Sequence, residues 1–134
     1  MKIALVHYHL KPGGVTTVIR QQIEAIQNHC ELIVLAGEKP EQFQIPVIHI
    51  PGIAYERNNT TDPSPEKTAE DIIRAIHNVW PEGCDIIHIH NPILAKNRNF
   101  LKVLKILQRK EFRLLLQIHD FAEDGRPFSY YSEN

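Results

Sequence analysis

The sequence predicts an α/β domain: a doubly wound, mostly parallel sheet of about five strands with helices on both faces. Three observations lead there. Short, continuous apolar runs alternate with longer segments of helical period, as expected when strands buried on both faces are joined by crossover helices. The runs end at Gly or Pro, which punctuate them as separate elements. Right-handed crossovers then give the strand order 3-2-1-4-5. At 134 residues, with 43% apolar and 23% charged content, the chain is sized for one domain with one core.

Ile3 to His7 is apolar throughout and reads as the central strand. It breaks into Lys11-Pro12-Gly13-Gly14, after which Val15, Val18, Ile19, Ile23 and Ile26 recur at helical spacing. Glu31 to Ala36 is the second strand, ending at Gly37, and Pro46 to Ile50 the third. Only Glu38 to Ile45 joins them, shorter than the dozen or so residues of a usual parallel crossover, which leaves the third strand's direction open. Ile53 to Pro65 is polar and irregular. Ser64-Pro65-Glu66 is a helix start, and Ala69, Ile72, Ile73, Ile76, Val79 and Trp80 mark the apolar stripe of a second helix that stops at Pro81. Asp85 to Pro92 is the fourth strand. Ile93 to Lys110 is a third helix with Phe100, Leu101, Leu104 and Leu107 inward, and Phe112 to His119 the fifth strand.

Residues 120–134 form a polar and aromatic tail with no helical pattern to cover the last strand. The expectation is a truncated domain, one that associates with another chain, or one covered by the Phe128 to Tyr131 aromatics.

A formal net charge of -1 argues against a nucleic-acid partner. No apolar run approaches the roughly 20 residues of a membrane span, so a cytoplasmic location is expected, with peripheral membrane contact still open. Cys30 and Cys84, the only cysteines, form no Cys-x-x-Cys motif, and a structural disulfide is not expected. In this setting the Asn-x-Thr triplets at Asn58 and Asn59 are chance matches in a polar loop.

Three strands end in histidine: His7 and His9 on the first, His88 and His90 on the fourth, His119 with Asp120 on the fifth. Ligands of open parallel sheets bind beyond the carboxyl ends of strands, where the strand order reverses, and strands one and four flank that point. Residues two apart share a face about 6–7 Å apart. His9, His90 and His119 are therefore expected at the cleft rim, with His7 and His88 deeper and satisfied by backbone carbonyls. The Gly13-Gly14 pair at a helix start suits an anion such as phosphate; the plainer reading is a turn that needs a positive φ. It is neither a Gly-x-Gly-x-x-Gly fingerprint nor a P-loop. Asp120 could orient a histidine, hold a metal or simply cap a turn, and Arg126 lies in a charged turn from which it could meet an anionic substrate.

Lys2-Ile-Ala-Leu-Val-His with Pro12-Gly13-Gly14-Val15, then Asp85-Ile-Ile-His-Ile-His-Asn, then Leu116-Gln-Ile-His119-Asp120 resemble, in order and spacing, the N-terminal half of family 4 type glycosyltransferases of the GT-B fold. Residues 1–134 would then be one Rossmann-like, acceptor-side domain. The resemblance implies transfer of a sugar from a nucleotide-sugar co-substrate, with no further cofactor and no metal, to a sugar, glycan or lipid-linked acceptor. It places Gly13 and Gly14 near the donor diphosphate and His119 near the transferred sugar, as the catalytic position. His9, His90, Asp120 and Arg126 would line the acceptor side. Such an enzyme needs a C-terminal Rossmann domain, or a second chain, to complete the donor pocket, so the isolated chain is expected to be inactive. Two other readings stand beside it: a metal-dependent hydrolase using the strand-end histidines, and a non-catalytic α/β binding module whose interface is the open sheet edge.

Overall fold

The computed structural model describes residues 1–54, 63–92 and 99–118. Five strands, β1 (Lys2–His7), β2 (Glu31–Ala36), β3 (Val47–His49), β4 (Ile86–His90) and β5 (Leu114–Gln117), make one sheet in the order β3-β2-β1-β4-β5. Every neighbouring pair is parallel, so the expected α/β class and strand order are observed. The direction of β3, which the short link left open, is resolved as parallel to β2. Residues 37–46 make that connection without a helix. An extended chain covers about 3.3 Å per residue against 1.5 Å in a helix, so ten residues can run the length of a six-residue strand.

Helices α1 (Gly14–Ile26), α2 (Pro65–Val79) and α3 (Phe100–Arg109) cover the sheet. The start of α2 is the one its sequence announces: Ser64 Oγ accepts the Lys67 N–H at 3.1 Å, and Pro65 occupies the first turn. That cap satisfies one orphan donor, and proline there loses no helical hydrogen bond.

Strand alternation divides the core in two. Ala4, Val6, Ile87 and Ile89 pack against Ile72 and Ile76 of α2 and Phe100, Val103, Leu104 and Leu107 of α3. On the opposite face Ile3, Leu5, Val34 and Ala36 pack against Ile19 and Ile23 of α1. Phe43 and Ile45 of the β2–β3 link join this second cluster, so the link supplies apolar cover that a crossover helix would otherwise give. Arg20 locks it in place, with its guanidinium 4.3 Å above the Phe43 ring and Nη1 donating to Gln44 Oε1 at 2.8 Å. The outer strand β5 is less covered: Leu115 and Leu116 remain about half exposed.

Two glycines are set by packing. A Cβ on Gly37 would overlap the backbone of Ile53 and Ala54, and one on Gly52 would overlap the side chain of Thr68. The chain after β2 thus lies directly against the short 3-10 turn Pro51–Ile53, and that turn against α2.

Candidate functional site

The sheet reverses its order between β1 and β4, and the carboxyl ends of these strands form the floor of the expected crevice. From β1 the chain runs through residues 8–13 into α1. This loop is held at both ends: the Lys11 N–H donates to His9 Nδ1 at 3.1 Å, and Thr16 Oγ1 donates to the Lys11 carbonyl at 2.6 Å. Leu10 is buried beneath it.

Gly13 is the residue that caps α1, with extended backbone at φ 162° and ψ 179°. The turn therefore needs no left-handed glycine here. Nor does packing ask for one: a Cβ on Gly13 would meet only the Lys11 carbonyl oxygen at 4.0 Å, and one on Gly14 nothing within 4 Å. Among the described residues no side chain caps this helix start, and no acid lies in its first turn. The first-turn N–H groups have no intrahelical partner and lie at the positive end of the helix dipole.

Beside the glycines lies a cleft of about 680 Å³ between Leu10–Gly13, the first two turns of α1 and residues 38–42. Lys11, Arg20 and Lys39 line it together with Glu38 and Glu41. Lys11 Nζ and Glu38 Oε2 stand 3.3 Å apart; the pair is exposed and contributes little to stability, so a ligand can part it readily. The 38–42 loop was not anticipated as part of the site. Its signal was the charged, proline-interrupted run Glu38-Lys39-Pro40-Glu41 directly after a strand.

The histidines of β1 and β4 do come together, though not at the expected depths. His7 is buried and its Nδ1 lies 3.1 Å from the His90 carbonyl, the deep, backbone-satisfied position expected. Its ring centroid is 5.4 Å from that of His9 and 6.3 Å from that of His90. His9, half-buried, sits nearer the rim, as expected. His90 corrects the expectation: it is fully buried, and His88, taken as the deeper of the two, is the more accessible. The reason lies past the strand. Asn91 turns in the left-handed region at φ 54°, and Asn91 and Pro92 are themselves buried, so the end of β4 is buried together with the two residues after it. His88 stacks on His90 at 4.5 Å and finds a side-chain partner, its Nε2 lying 2.9 Å from Gln117 Oε1.

Hydrogen bonding fixes the protons of the rim. Because His9 Nδ1 accepts from Lys11, its neutral ring carries hydrogen on Nε2. Burial lowers the His9 pKa below the ordinary imidazole value, the Lys11 charge lowers it further, and Glu38 opposes both. His9 is held neutral, suited to hydrogen bonding with uncharged groups such as hydroxyls. Away from the site, burial raises the Cys84 thiol above its usual value, and Cys84 and Cys30 are both free.

His119, Asp120 and Arg126 lie outside the described residues. Among the described residues no group of three His, Cys, Asp or Glu side chains converges in a way that could hold a metal ion, and no helix is long and apolar enough to cross a membrane.

No family model matches the chain. It is similar to a mannosylglucosyl-3-phosphoglycerate synthase of Petrotoga mobilis, 25% identical over 134 residues that take in 92% of this chain and 26% of that protein. This supports a glycosyltransferase relationship, and the chain spans about a quarter of the relative's length.

Proposed function

We propose that this chain forms the acceptor-side, Rossmann-like half of a GT-B type sugar-transfer site that works with a nucleotide-sugar donor. One observation carries the reading: Gly13 and Gly14 stand at a helix start where, among the described residues, no side chain caps the helix and neither backbone conformation nor packing calls for glycine. Glycines without a fold requirement are explained by close approach of a ligand, and N–H groups at a helix N-terminus favour an anion. A diphosphate fits that chemistry. As the sugar leaves, charge builds on the departing diphosphate, and preset N–H donors stabilise it without reorganising.

The neutral imidazole of His9, next to this loop, supplies hydrogen-bonding capacity for a sugar hydroxyl. His119 remains our choice for the group beside the transferred sugar, with Asp120 and Arg126 on the acceptor side. His90, being buried, supports the wall from behind rather than touching substrate. The partners proposed are a sugar, glycan or lipid-linked acceptor and a second Rossmann domain, in cis or on another chain. The site of action proposed is the cytoplasm.

Titration of the ¹⁵N-labelled chain with pyrophosphate and with a nucleoside diphosphate tests the reading. Progressive shifts of the Gly13, Gly14 and Val15 amide signals are expected, saturating at millimolar ligand or below. No movement of these signals at that concentration removes the diphosphate assignment. Sugar transfer from a nucleotide-sugar by the isolated chain would contradict the requirement for a second domain.

A further inference from the structure

Gln117, at the end of β5, joins α1, β4 and the residue that follows β4. Its side-chain Oε1 accepts a hydrogen bond from Gln22 Nε2 of α1 at 2.8 Å and lies 2.9 Å from His88 Nε2 of β4. Its backbone carbonyl accepts the N–H of Asn91 at 2.7 Å, holding the left-handed residue that closes the end of β4. An amide oxygen only accepts, so the short contact requires the hydrogen of His88 on Nε2. The ordered ring then stacks on His90, whose carbonyl lies 3.1 Å from His7 Nδ1; a carbonyl also only accepts, which places the His7 hydrogen on Nδ1.

We infer that Gln117 is a positioning residue: its amide oxygen fixes the proton and orientation of His88 and, through the His88/His90 stack, sets the histidine cluster at the carboxyl ends of β1 and β4. The consequence for a sugar site rests on the function proposed above, whereas the proton positions do not. Gln22 completes the arrangement by tying the same oxygen to α1, the helix that begins at Gly14.

Long-range ¹H–¹⁵N imidazole spectra of the intact 134-residue chain, recorded near neutral pH, test this. The wild type should show a His88 Nε2–H resonance protected from solvent exchange. Gln117→Met keeps side-chain length but removes the acceptor, so exchange of that proton should quicken by roughly tenfold or more, and the His7 Nδ1–H signal should weaken. Gln117→Glu restores an acceptor and should keep the His88 proton protected. Gln22→Met removes the other donor and should leave that proton protected as well, which keeps the inference testable even if Gln117→Met fails to fold. An unprotected His88 Nε2–H in the wild type, or unchanged protection in folded Gln117→Met, overturns it. Loss of diphosphate binding with these signals intact counts against the proposed function alone.

Discussion

Gly13–Gly14 and the pair Gly37 and Gly52 hold the same residue type for opposite reasons. Gly37 and Gly52 leave no room: the first abuts the backbone of residues 53–54 and the second the Thr68 side chain. The Gly13–Gly14 pair, in the β1–α1 connection, has space among the described residues for a methyl group at both positions and a backbone open to any residue. The first pair is explained within the chain, by how closely β2, the 3-10 turn and α2 pack. The second has no such explanation among the described residues, which is why it carries the functional reading.

Substitutions can break this contrast. Gly37→Ala should be the most damaging, because the obstructing atoms are backbone and the 3-10 turn must move; a loss of about 3 kcal/mol is expected in urea unfolding. Gly52→Ala should cost about 2 kcal/mol, since the obstruction is one buried side chain. Thr68→Ala combined with it should cost less than the two changes summed, the coupling expected of residues in contact. Equal, additive losses would mean that packing does not select these glycines.

A smaller effect sharpens the functional side. His9 is bonded to the loop through the Lys11 N–H, and its folded pKa is lowered. The unfolded chain therefore binds the proton more readily than the folded one. The stability associated with neutral His9 is present in full above pH about 6.5 and is lost as pH falls through that value toward the lower folded pKa. An NMR titration should place the His9 midpoint below 6.5, and Gly13→Ala should leave it there. A midpoint above 6.5 would mean that His9 is charged at the rim.

Most of the fold was legible because the signals are local. Continuous apolar runs gave the strands, Ser64-Pro65 the start of α2, and the right-handed crossover rule the order of the sheet. The direction of β3 was not legible, because its link uses extended chain and places Phe43 and Ile45 where a helix was expected. At the site, the His-x-His spacing correctly put each pair on one face, but spacing carries no information on depth. His90 is buried together with Asn91, which turns in the left-handed region, and an asparagine before a proline does not announce that turn. Gln22 and Gln117 were missed for a related reason. They lie far apart in sequence, and only the tertiary fold brings their amides together.

The central claim is that Gly13 and Gly14 serve a ligand and not the fold, and the double variant Gly13→Ala/Gly14→Ala tests it most directly when stability and pyrophosphate binding are measured on the same sample. Unfolding should change by no more than about 1 kcal/mol, since alanine suits the first helical turn at Gly14 better than glycine but is the poorer cap at Gly13, while the pyrophosphate-induced shift at Val15 should be lost. A clear drop in stability, or binding equal to wild type, would contradict the account.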